Sequence, residues 1–92
     1  MESVIQSEKE CFICKTTRNL HCHHLYGGNP NRRISEKYGM KIFLCQEHHT
    51  GKNGVHFNRE LDLKIKRIGQ EVYENKFGSR EDFMRLFGRS YL

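Results

Sequence analysis

Cys11-Phe12-Ile13-Cys14 and Leu44-Cys45-Gln46-Glu47-His48-His49 are the two stretches on which the fold of this chain turns. Each sets two metal-ligating side chains two residues apart, so that one tight turn can aim both at the same ion. Zinc takes thiolate sulfur at about 2.3 Å and imidazole nitrogen at about 2.0 to 2.1 Å. Cys11, Cys14, Cys45 and His48 therefore read as a closed, tetrahedral, structural Zn2+ site. A redox role for the CxxC pair would need a thioredoxin-like βαβ context, which this sequence lacks. The 30 residues between Cys14 and Cys45 exceed the gap in a simple DNA-reading finger, so something is inserted between the two halves. The fourth cysteine, Cys22, is either an alternative to His48 or a small buried side chain.

The inserted segment carries two short strand patterns. Asn19 to Leu25 alternates, with Leu20, Cys22 and His24 on one face and His21, His23 and Leu25 on the other. Tyr26 to Asn31 is a loop by composition, Arg32 to Tyr38 suits one or two helical turns, and Gly39 ends them. Met40 to Cys45 is the second strand, and Gln46 to Gly54 is turn-like because of Gly51 and Gly54. Beyond it, Phe57, Leu61, Ile65, Ile68 and Val72 recur at helical spacing and predict a long amphipathic helix over residues 57–77, closed by Gly78. On this helix Lys64, Lys66 and Arg67 fall on the wet face. Ser79-Arg80-Glu81-Asp82 resembles a capping box and opens a short helix to Phe87, with Gly88 beyond it.

The whole chain is 92 residues, enough for one small domain: a metal-ligand-rich part at residues 11–56 and a helical part at residues 57–92. Apolar residues make up 36 % of it, a thin supply of core for a chain that buries only about 60 to 65 % of its unfolded surface. A staple is expected, and all 4 Cys and 6 His lie between Cys11 and His56. No apolar run is long enough to cross a membrane. Met1 to Gln6 lacks a basic region followed by an apolar stretch, so a cytoplasmic setting with reduced thiols is expected. The net charge of +5 permits an anionic partner without requiring one.

The histidines are too concentrated for loop hydrogen bonding alone. His23 and His24 are adjacent, His49 follows the second half of the zinc motif, and His56 precedes the long helix. A neutral imidazole can bind a metal or take a proton near pH 7. A strand ending in His-His, a loop, a second strand ending in LCxxHH and then a helix resembles the HNH endonucleases of the ββα-metal (His-Me finger) fold. The chain is most similar to the small HNH proteins of bacteriophages and prophages. The strings that carry the likeness are LHCHHLYGG, NRRISEKYG, LCQEHH, GVHFNRELDLK and FMRLFGRSYL, which span nearly the whole chain.

The resemblance implies an α+β fold: a zinc-stabilised ββα-metal core followed by a long amphipathic helix and a short C-terminal helix. It also implies metal-dependent hydrolysis of DNA phosphodiester bonds in a bacterial host cell. His24 matches the general base that activates water. His23 and His49 match ligands of a catalytic divalent ion such as Mg2+ or Mn2+. A third ligand would be His56 or Asn53, and imidazole is the stronger donor. Met40 stands about where the family has its middle Asn, which orients the base; Asn29 and Asn31 are the loop residues that could replace it. Arg32, Arg33 and Lys52 are candidates for holding the nucleic-acid backbone. No base-reading element is evident, so little sequence specificity is expected. Two other functions fit less of the pattern: a non-catalytic zinc-stabilised module binding nucleic acid or protein, and a redox protein using Cys11 and Cys14.

Overall fold

The computed structural model describes residues 2–92. Its centre is an antiparallel pair of strands, β1 (Leu20–His24) and β2 (Lys41–Cys45). The pairing runs Leu20↔Cys45, His21↔Leu44, Cys22↔Phe43, His23↔Ile42 and His24↔Lys41. Because side chains alternate across a strand, His21, His23, Ile42 and Leu44 share one face. Leu20, Cys22, His24, Lys41, Phe43 and Cys45 share the other. Ile42 and Leu44 are buried, so the two histidines sit on the core side.

Between the strands lies α1 (Asn31–Tyr38), closed by Gly39 in the left-handed conformation at φ 69°. A four-residue helix, α2 (Gln46–His49), follows β2 directly. The segment expected to be all turn is thus helical at its start, and turns begin only at Thr50. Residues 2–12 cover the far face of the sheet. Ser3 Oγ donates to the Lys41 carbonyl at 2.5 Å, and the Phe43 N–H donates to Gln6 Oε1 at 2.8 Å. The Phe12 N–H donates to the Phe43 carbonyl at 2.9 Å and lashes the CxxC turn to β2.

The long helix, α3, spans Arg59–Lys76. It begins later than periodicity predicts, because Asn58 Oδ1 caps it by accepting the Leu61 N–H at 3.0 Å. Phe57 therefore lies outside the helix and is 72 % exposed. The buried residues of α3 are Ile65, Gly69, Gln70 and Tyr73, with Leu61 and Val72 partly covered. Gly78 is not a left-handed cap; α3 ends at Phe77, where the Ser79 box immediately starts the next helix. That helix, α4 (Arg80–Phe87), has both capping-box bonds between Ser79 and Asp82. The expected inward residues Phe83 and Phe87 are buried, and Leu86 is partly buried.

The core is an aromatic stack. Tyr26 lies with ring centroids 4.4 Å from Phe87 and 5.3 Å from Phe83, and Tyr73 lies 5.5 Å from Phe83. Tyr26 also donates its hydroxyl to the Lys66 carbonyl at 2.6 Å, so a buried phenol is both packed and satisfied. Buried Gln70 accepts the Tyr91 N–H at 2.7 Å and anchors the C-terminal residues. Gly69 is what allows α3 this close: a Cβ there would stand 2.5 Å from Leu25 Cδ2 and 2.6 Å from the Tyr26 hydroxyl. Helix propensity alone favours alanine by about 1 kcal/mol. Both neighbours are fully buried, however, so overpacking should win. Gly69→Ala is expected to destabilise the fold by about 1 to 3 kcal/mol in urea melts; a gain in stability would contradict this close approach.

Candidate functional site

The two halves of the zinc motif meet at one end of the sheet. The CxxC turn is tight: the Lys15 N–H donates to the Cys11 carbonyl at 2.9 Å and the Cys11 N–H to the Thr16 carbonyl at 2.8 Å. Cys45 closes β2 and His48 lies in the first turn of α2, three residues on. Cys14 Sγ is 3.8 Å from Cys45 Sγ, Cys11 Sγ is 3.7 Å from His48 Nδ1, and Cys45 Sγ is 3.2 Å from the same nitrogen. A tetrahedron with zinc–sulfur bonds of about 2.3 Å has edges of about 3.8 Å. The four donors could hold a metal ion such as zinc.

The thiols behave as a crowded donor set. Burial and the neighbouring Cys11 and Cys14 thiols push the Cys45 thiol up. At Cys11 burial acts the same way, but hydrogen bonds from backbone groups at Cys14, Cys45 and Ile13 outweigh it and bring the thiol down to about 6. One thiolate forms readily, and an ion in the middle would favour the others. Cys22 takes no part. It is exposed on the far face of the sheet rather than buried, bordering a cleft between its partner Phe43 and residues of the N-terminal segment such as Ser3 and Gln6.

A second group forms on the core face. Donor atoms of His23, His49 and His56 lie within 4.8 Å of one another. β1 supplies His23 and α2 supplies His49. The chain then folds back: the Val55 N–H donates to the His48 carbonyl at 3.0 Å and the Phe57 N–H to the Gly54 carbonyl at 3.0 Å. That turn stacks His56 against His49 at a ring separation of 4.9 Å. Asn53, the other possible third ligand, gives its side-chain amide to Glu47 at 2.9 Å instead.

The imidazoles are suited to ligation. Burial first, then the charge of His49, hold His23 down to about 4, so it is neutral near pH 7. Burial and His56 lower His49 too. Among the described residues, His23 Nε2 is the one buried side-chain nitrogen or oxygen without a hydrogen-bond partner. Such an orphan costs about 1 to 3 kcal/mol, and an ion in the group would satisfy it. His21, to which the sequence assigned nothing, has its Nδ1 2.9 Å from His49 Nδ1. One of the two donates to the other, which fixes the ring of His49.

A cleft of about 470 Å3 contains this group, and His24, Arg32, Asp62 and Lys66 also line it. His24 points to the opposite face from His23, so it borders an adjoining cleft of about 490 Å3 as well, with Arg32, Arg33 and Glu36. Glu36 Oε1 lies 3.0 Å from His24 Nε2, and Lys41 Nζ donates to Glu36 Oε2 at 2.7 Å. Lys41 first and then His24 are the largest of the contacts that bring the Glu36 carboxyl down to about 2. Lys52 is exposed in the turn after α2 and lines neither cleft.

Of the charged residues lining the clefts, Asp62 and Glu36 were not singled out in the sequence, and Lys66 was placed elsewhere. Lys66 and Asp62 form an i,i+4 pair at 2.9 Å and face the cleft, so Lys66 is not on the wet face of α3 as expected. Their spacing is visible in the sequence, but the rotation of α3 that aims them is not. Glu36 carries no sequence signal beyond lying four residues after Arg32. No family model matches the chain, and no curated protein or solved structure is significantly similar to it.

Cys11→Ala and Cys45→Ala should each abolish retention of one zinc per chain and lower the melting temperature sharply, because metal binding of this kind supplies about 10 to 16 kcal/mol in small zinc domains. Cys22→Ala should keep the zinc and melt as wild type. Metal counts with circular dichroism melts check both, and a wild-type melt for Cys11→Ala would rule out the four-residue site.

Proposed function

We propose that this chain is a small metal-dependent endonuclease of the HNH type, built on a ββα-metal core and cutting phosphodiester bonds in DNA. The single observation that carries this reading is the His23, His49 and His56 group, with its orphaned buried nitrogen, set in one cleft with His24. A closed zinc site alone would need no second set of ligands. Three neutral protein ligands leave coordination positions open, unlike the four-donor Cys/His site, whose zinc is structural in this reading.

A divalent ion bound there, Mg2+, Mn2+ or similar, would supply positive charge against the phosphoryl oxygens and the departing oxygen. The chain's own residues do the rest. His24 takes the proton from a water as the water oxygen bonds to phosphorus. The P–O3′ bond breaks, the 3′-oxygen leaves with the bonding pair, and solvent protonates it. The products are a 5′-phosphate and a 3′-hydroxyl. Arg32 and Lys66, which border the cleft, hold the backbone near the scissile phosphate, and Arg33 holds it in the adjoining cleft. Lys52 lies farther out and meets only a flanking phosphate. None of these groups reads a base edge, so cleavage has weak sequence preference.

A supercoiled-plasmid assay with Mg2+, Mn2+ and other divalent ions tests the reading. Wild type should nick, and His24→Ala should nick about 100-fold or more slowly while keeping its fold and its structural zinc. Equal rates for the two proteins would sink the proposal. Binding of DNA without cleavage under every metal would instead favour a zinc-stabilised binding module.

A further inference from the structure

His24 is held by a group that neither loop asparagine supplies. The Asn31 amide is used elsewhere, donating to the Phe87 carbonyl at 3.4 Å. In its place Glu36 reaches His24 from α1, with Oε1 3.0 Å from Nε2. The carboxylate is clamped from its other side, because Oε2 accepts from Lys41 at 2.7 Å. Lys41 is the cross-strand partner of His24, so the sheet register itself sets both ends of the clamp. An ionised carboxylate can only accept hydrogen bonds. The contact therefore requires the proton of a neutral imidazole to be on Nε2, which leaves the lone pair on Nδ1.

We infer that Glu36 is the positioning residue of His24, fixing its ring and its Nε2–H tautomer so that Nδ1 is the basic nitrogen. Its use in catalysis rests on the nuclease reading above; the tautomer does not. Glu36 touches neither the three-histidine group nor its ion, and acts through His24. Its side chain is 45 % exposed, so the pair adds little to stability. Removing the carboxylate should consequently disturb His24 and leave the fold alone.

The test uses the full zinc-loaded chain with 15N-labelled histidine at mildly alkaline pH. Long-range 15N–1H correlation should show His24 as a single Nε2–H tautomer with an Hε2 proton protected from exchange. Glu36→Ala should lose that protection, and Glu36→Gln, which keeps an acceptor oxygen, should retain it. In the nicking assay Glu36→Ala should lower kcat on the order of 100-fold with KM unchanged, as expected for a misplaced reacting group, and Glu36→Gln should recover most of it. A wild-type His24 protonated on Nδ1, or equal Hε2 protection in Glu36→Ala, overturns the inference. So does an unchanged kcat, or a Glu36→Ala protein that melts far below wild type. If wild type shows the protected Nε2–H but nicks nothing, the positioning stands and the nuclease reading fails.

Discussion

The register of β1 on β2 is the constraint on which the rest of the molecule depends. Five residue pairs fix it, from Leu20↔Cys45 to His24↔Lys41. At one end it delivers Cys45 beside the CxxC turn. At the other it delivers His24 beside Lys41 and Glu36. Between them it turns His21 and His23 toward the core. A slip of one residue would exchange the two faces, exposing His21 and His23 and burying His24. A two-stranded sheet is too small to hold a register by its own hydrogen bonds. The Cys/His cluster at one end, the hydrogen bonds between β2 and Ser3, Gln6 and Phe12 on the far face, and α1 and α2 packed against the strands do so.

That arrangement separates two kinds of metal-ligand chemistry within a few residues. The first set has three thiols and one imidazole, with Cys11 and Cys45 buried, His48 half-buried and Cys14 at the surface. The second has three imidazoles, no anionic donor, and a cleft in front. The difference follows from what each element contributes. The CxxC turn and the end of β2 are held by backbone bonds at 2.8 to 2.9 Å, which leaves the thiols little freedom. The His56 turn bends back over α2 and leaves one side open. His24 belongs to neither set. It neighbours His23 in sequence yet faces the other way, so it can meet a cleft that the three histidines line without competing for the same ion.

Much of this was legible in the residues. The CxxC and CxxH spacings marked the four-donor cluster, since two intervening residues are what one turn needs. The alternation through Leu20 to Leu25 separated His21 and His23 from His24, and the structure keeps that separation. The grouping of His56 with His23 and His49 was open in the sequence, where Asn53 was the alternative; the structure brings the His56 donor within 4.8 Å of the other two, while the Asn53 amide donates to Glu47. The helix start was misplaced by two residues because periodicity counts Phe57 as one more apolar position, whereas the cap at Asn58 stops the helix short of it.

By itself, the sequence determined which donors exist, how each pair is spaced, and which strand residues share a face. Those are local properties, set by turn geometry and by the two-residue repeat of a strand. Only the tertiary structure decided which distant groups meet. The rotation of α3 brings Asp62 and Lys66 to the histidines, and the position of α1 over the sheet edge brings Glu36 to His24. The bend after α2 brings His56 onto His49. The close approach at Gly69 and the aromatic stack around Tyr26 seat α3, the Ser35 hydroxyl bonded to the Tyr26 carbonyl ties down α1, and the Val55 N–H on the His48 carbonyl holds the bend; each joins residues that no local pattern relates.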